Sequence, residues 1–160
     1  MPGPIAIEDF AQRLPPKAPL IGLDLGAKTI GIAISDIERR LAAPLRTLPR
    51  GRFARDADAL IVIFGEFDVA GVVLGLPLDL EGRDSPRAQS TRAFAHNLSK
   101  RTSLPIAFWD ERFSTAAVTR SLIAHDVSRA RRAQVIDKMA AAYILQGALD
   151  RLAGLAGPRD

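Results

Sequence analysis

Residues 20–36 read LIGLDLGAKTIGIAISD, and the fold is decided there. LIGLDL is a short apolar run of strand length. Gly26 to Lys28 mark a turn, and TIGIAISD is a second apolar run, so the stretch predicts a β-hairpin. Asp24 stands in the middle of the first strand. A carboxylate there is costly to bury unless it meets a cation or a network of donors. The glycines could suggest a phosphate-cradling loop with Lys28 and Thr29 toward a ligand, but G-x-x-x-x-G-K-[ST] is not met and no G-x-G-x-x-G occurs.

Downstream, Pro44 to Leu48 suits a third short strand and Ala54 to Phe67 a helix. VAGVVLGLP, residues 69–77, is a continuous apolar run ending in proline, as expected of a central strand covered on both faces. A polar loop, LDLEGRDS, leads to Ser85 and Pro86, an N-cap and first-turn pair. The helix they open carries Ala88, Thr91, Ala95 and Leu98 at helical spacing. LPIAFWD, residues 104–110, predicts another strand, and Ser114 can cap a helix through about His125. Beyond a basic loop, Val135 to Leu152 predicts a helix apolar on most faces. Three hairpin-linked strands followed by βαβ units make an α/β fold, a mixed sheet with helices on both faces. The five prolines among residues 1–19 set that segment apart as an extension, leaving a domain over 20–154 and a short tail over 155–160.

Composition narrows the function. The 160 residues suit one domain with a single core, 48% of them are apolar and 25% are charged. There is no cysteine and there are two histidines, His96 and His125, which excludes disulfides, thiolate metal sites and cysteine nucleophiles and argues against zinc. No leader pattern and no membrane-length apolar run is present, so a cytoplasmic location without membrane partners is expected. The net charge of +4 and pI near 10.1 come with arginine-rich clusters at Arg87/Arg92, Lys100/Arg101 and Arg129/Arg131/Arg132. This footprint suits an anionic polymer, although surface basicity alone also serves solubility.

Three carboxylates could carry chemistry. Asp24 interrupts a strand, Glu111 follows the end of another beside Asp110, and Asp137 sits near the start of the predicted last helix. Open α/β sheets place chemistry at the carboxyl ends of their strands, and a helix dipole favours an anion near its first turn. If the three converge, a divalent cation would offset their repulsion, and an all-oxygen set points to Mg²⁺ or Mn²⁺. Taken singly, each has a structural alternative: Asp24 bonded to the hairpin, Glu111 paired with Arg112, Asp137 as a helix anion. Lys28, Arg112 and Lys138 flank the acids and could contact phosphates, as could Arg129, Arg131 and Arg132, or all six could be solvated charges. Trp109 is read as core and both histidines as surface.

Together, GLDLGAKTIGIAISD (22–36), VVLGLPLDLEGRDSPRAQ (72–89), WDERFSTAAV (109–118) and VIDKMAAAYILQ (135–146) resemble the YqgF family. Its members are candidate pre-16S rRNA nucleases related to Holliday-junction resolvases, and the match runs from Leu20 to about Leu152 in order and spacing. The resemblance implies an RNase H-like fold with five strands in the order 3-2-1-4-5. It also implies an acidic site formed by Asp24, Glu111 and Asp137, and a metal-dependent endonuclease acting on RNA in 5′-end maturation of pre-16S rRNA. Two departures stand out: Asp79, Leu80 and Glu81 occupy the place of the family's Asn-Met-Asp, and the fourth strand ends in Gly75, Leu76 and Pro77 where related resolvases carry a glutamate. Glu111 on the fifth strand must then substitute. In that strand order it starts ~10 Å from the first strand, a gap that two ions ~4 Å apart could bridge.

Competing readings are a branched-DNA resolvase, for which a homodimer would supply two symmetric cuts, and a non-catalytic nucleic-acid-binding factor on ribosomal particles, for which a monomer suffices. DLGAKTIGIA also looks like the first phosphate motif of actin-like and sugar-kinase ATPases, but those need two such lobes and this length provides one.

Overall fold

The computed structural model describes residues 3–113 and 129–157. Its elements are α1 (Ile7–Gln12), β1 (Leu20–Leu25), β2 (Thr29–Ser35), β3 (Ala42–Pro49), α2 (Phe53–Glu66), β4 (Gly71–Leu76), α3 (Pro86–Ser99), β5 (Ile106–Asp110), a 3₁₀ turn at Glu111–Phe113 and α4 (Arg129–Ala156). The strands form one sheet in the order β3-β2-β1-β4-β5. β2 runs antiparallel to β1 and β3, while β4 runs parallel to β1 and β5. This is the predicted mixed sheet of an RNase H-like fold.

Two apolar layers hold it. Alternate residues of a strand face opposite sides, so Ile21 and Leu23 of β1 pack with Leu60 and Phe64 of α2 and Phe94 and Leu98 of α3. On the other face Leu20, Ala33, Val73 and Ala107 meet Ala140, Ala141, Ile144 and Leu145 of α4. Every residue of β1 and of β4 is buried, which is why both read as continuous apolar runs rather than as alternating ones. Each large side chain buried in this way contributes roughly 1.5–3 kcal/mol.

The ends of α3 and α4 follow local chemistry. The Ser85 hydroxyl accepts from the Ala88 N–H at 3.1 Å and donates to the Pro77 carbonyl at 2.7 Å, tying the cap to the end of β4. Ala88, Thr91, Ala95 and Leu98 are all buried, as their spacing predicts. α4 is longer than the predicted 135–152 at both ends. Residues 129–134, RARRAQ, look like a basic loop but consist of strong helix formers, and the helix stops before Gly157, which takes φ +82. Asp137 therefore lies more than two turns inside α4, so the dipole argument for its position does not hold. The helix expected from Ser114 to about His125 lies outside the described residues.

The proline-marked N-terminal stretch docks on the sheet. The Ile5 N–H donates to the Ile106 carbonyl at 2.8 Å. Phe10 is fully buried over Gly71, where a Cβ would stand 2.7 Å from its ring. Among the described residues, no helix is long and apolar enough to cross a membrane.

Candidate metal centre

The geometry starts at Asp24, which is 1% exposed and lies opposite Gly31 of β2. Asp24 shares a strand face with Leu20 and Gly22, and that face carries α4. A Cβ at Gly22 would stand 2.7 Å from the Leu145 Cβ, and one at Gly31 would run into the backbone carbonyl of Asp137. α4 thus lies directly on the Asp24–Gly31 pair, an approach that the missing side chains of Gly22 and Gly31 permit. The approach delivers a second carboxylate. Asp137 Oδ2 lies 3.0 Å from where a Cβ on Gly26 would be, and Gly26 is two residues beyond Asp24, a step of about 6.6 Å along an extended chain.

Glu111 arrives from the other side. It follows β5, whose Trp109 pairs with Gly75 of β4, and its Oε1 lies 2.8 Å from the place of a Gly75 Cβ. The β1–β4 register, Gly22 to Val73 and Leu23 to Leu74, brings Gly75 level with Asp24. Glu111 therefore reaches back over the glycine lane of β4, and its carboxylate lies one strand spacing from β1, ~4.8 Å, rather than two. The missing side chain of Gly75 is what leaves the space for it.

The three acids share a glycine floor at the carboxyl end of β1, yet among the described residues no three acidic or histidine side chains are drawn close enough to enclose an ion. The set is an open arc of hard oxygen donors. A set of hard oxygen donors is the kind that suits Mg²⁺ or Mn²⁺.

The flanking cations differ in their surroundings. Arg112 is held by Asp110, its Nε at 3.1 and 3.0 Å from the two carboxylate oxygens and its Nη2 at 2.6 Å, and its Nη1 donates to the Leu80 carbonyl at 3.4 Å. Burial pushes the Asp110 carboxyl up, but the Arg112 guanidinium and N–H outweigh it and leave the group below its ordinary value. Arg112 rises in turn, chiefly through the same bond. Asp79 organises the neighbouring loop by accepting from the Arg83 and Glu81 N–H groups at 2.8 and 2.9 Å, and the Arg83 bond chiefly holds its carboxyl low. Lys28 is exposed at the hairpin turn and Lys138 is half-buried beside Asp137. Arg129, Arg131 and Arg132 lie in the opening turn of α4, and their side chains lie outside the described set. His96 is exposed and Trp109 packs against Gly147. His125 lies outside the described residues.

Sequence reading did not single out Arg50, and it counted Arg87 only within a basic cluster. Arg50 Nη1 donates to the Gly26 carbonyl at 2.8 Å, and Arg87 Nη2 to the Leu25 carbonyl at 3.1 Å. Both arginines thus grip the two residues that follow Asp24. The only available signal was position, at the end of one strand and in the first turn of a helix, and position becomes informative only once the sheet brings the two together.

A model of the RuvX family, described as Holliday junction resolvase, matches residues 18–151. Proteins named as candidate pre-16S rRNA nucleases are similar over nearly the whole chain. The one from Methylocella silvestris is 56% identical, covering 92% of each chain, and that from Bradyrhizobium sp. (strain BTAi1) is 59% identical, covering 97% of each. Among solved structures, Thermus thermophilus RuvC in complex with a Holliday junction substrate superposes with a TM-score of 0.52 at 9% identity, over 87% of this chain and 96% of that one, a likeness of fold alone. With the match to its family model and relatives of this similarity, the chain belongs to the RuvX family and is, with those relatives, a nuclease.

Proposed function

We propose that this chain is a metal-dependent endonuclease that hydrolyses phosphodiester bonds in RNA, acting in 5′-end maturation of pre-16S rRNA in the cytoplasm, with ribosomal precursor particles as its setting. The substrate class is that of the named relatives. The observation that carries the reading is the position of the Glu111 carboxylate over Gly75, level with Asp24, while the Asp137 carboxylate lies over Gly26. Three acids from β1, the end of β5 and α4 thereby face one strand terminus, the place where open sheets of this class host ligands.

Asp24, Glu111 and Asp137 would hold Mg²⁺ or Mn²⁺, in a two-ion arrangement. The bound ions would supply charge neutralisation at the phosphate and a water acidic enough to attack at neutral pH. The chain fixes the three carboxylates on rigid elements: Asp24 by burial in the central strand, Asp137 by the contact of α4 with Gly31, and Glu111 by the 3₁₀ turn after β5. Lys28 and Lys138, with Arg129, Arg131 and Arg132 at the start of α4, would contact the backbone of the bound strand. Arg112, engaged by Asp110 and the Leu80 carbonyl, would order the loop beside the site. One copy is enough for a single cut in RNA, whereas paired cuts in a junction need two sites.

The test is cleavage by purified wild type and Asp24→Asn on precursor 16S rRNA, an unrelated RNA and a four-way DNA junction, in Mg²⁺ and in Mn²⁺. The expected result is metal-dependent cleavage strongest on the precursor and at least about 100-fold slower in the variant. Equal rates for the two proteins would end the proposal. Preference for the junction would replace RNA by branched DNA, the substrate in the family model's description.

A further inference from the structure

Behind the carboxylates, on the opposite face of the β1 terminus, lies a cleft of about 240 Å³ lined by Leu25, Gly26, Ala27, Arg50, Pro86, Arg87 and Ser90. None of these side chains is acidic. Arg46, Arg83, Arg92 and Arg101 each meet a carboxylate, whereas among the described residues Arg50 and Arg87 form no ion pair. Their bonds are to neutral groups. Arg50 donates to the Gly26 carbonyl at 2.8 Å and to the Ser90 hydroxyl at 3.3 Å, with its guanidinium carbon 5.8 Å from the centre of the Phe94 ring. Arg87 donates to the Leu25 carbonyl at 3.1 Å.

A carbonyl orients a guanidinium without cancelling its charge. Each guanidinium has five N–H donors in a fixed fork, so both keep donors for a further acceptor. Anchoring also lowers the conformational entropy that a long side chain would lose when it captures an anion. Two oriented, unneutralised cations around a concave space, one residue past the buried acid, are suited to a phosphate group.

Building on the nuclease reading above, we infer that Arg50 and Arg87 form a second phosphate subsite, which holds a backbone phosphate neighbouring the one at the carboxylates and so sets how the strand lies across β1. The ligand chemistry is a phosphodiester of the substrate strand. RNA and branched DNA offer the same group, and the test treats them as separate arms.

Binding is measured by fluorescence anisotropy with a labelled single-stranded RNA and with a four-way DNA junction, over a series of salt concentrations. All proteins carry Asp24→Asn so that nothing is cleaved. Glutamine keeps a donor for the anchoring carbonyl while removing the charge, so the variants are Arg50→Gln and Arg87→Gln. Arg46→Gln, from the pair with Glu66, is the control. Each test variant is expected to bind RNA about five- to tenfold more weakly and to lower the slope of log affinity against log salt by about 0.7, the loss of one phosphate contact on a single strand. The control should keep both values. The same pattern on the junction alone would support the subsite with DNA as its source. If the parent binds and both variants match it in affinity and slope on both probes, the subsite is wrong and the nuclease reading stands. If the parent binds neither probe, both fall. Should Arg50→Gln fail to fold by circular dichroism, Arg87→Gln, from an exposed position, decides alone.

Discussion

Gly75 is the residue on which the site turns, because its missing side chain gives Glu111 the space beside Asp24. A Cβ there would stand 2.8 Å from Glu111 Oε1 and would also strike Ile144 of α4. Gly75→Ala must therefore displace the carboxylate, the helix or both. Cleavage is expected to slow by about 10- to 100-fold, the effect of a misplacement near 1 Å, with a loss of about 1–3 kcal/mol in stability from overpacking. Single-turnover cleavage and thermal melting measure the two separately, and a wild-type rate would show that the carboxylate does not work from that position. At this scale the sequence was partly legible. Asp24 announced itself as an acid in an apolar strand, and Glu111 and Asp137 as acids beside apolar elements. Gly75 reads from sequence as a strand terminator or as the absence of an expected glutamate, because the space it leaves exists only after β4 and β5 pair.

The contact of α4 with the sheet is the element-scale device that brings Asp137 in. Gly31 meets the Asp137 carbonyl, a backbone atom with little freedom to move. Gly31→Ala is expected to cost about 3 kcal/mol and to lower Tm by roughly 10 °C. Gly65 in α2 has nothing within 4 Å of a Cβ, so Gly65→Ala should instead add about 0.4–1 kcal/mol through the unfolded chain and helix propensity. Calorimetry on the two variants checks both signs. Strands and helices were legible where apolar periodicity was unambiguous, as in β1, β4 and α3. The start of α4 was not, because arginine serves a solvated loop and a helix surface equally well, and only tertiary support decides between them.

For the whole molecule, the sheet order collects at one end of β1 what the chain keeps far apart: residues 24 to 26, 50, 75, 87, 111 and 137. Acids lie on one face and two arginines on the other, a separation that alternation along a strand enforces and that composition reveals only as net basicity. The resemblance to a known family supplied strand order and substrate, neither of which residue spacing could give. The central claim is that Asp24, Glu111 and Asp137 hold a divalent ion between them, and it is tested most directly by an anomalous-difference map from a crystal of the wild-type protein soaked in Mn²⁺. The account predicts density at the carboxyl end of β1, within coordination distance of Asp24 and Asp137 and with Glu111 turned toward it. A map with no peak there, while Mn²⁺ supports cleavage in solution, would contradict it.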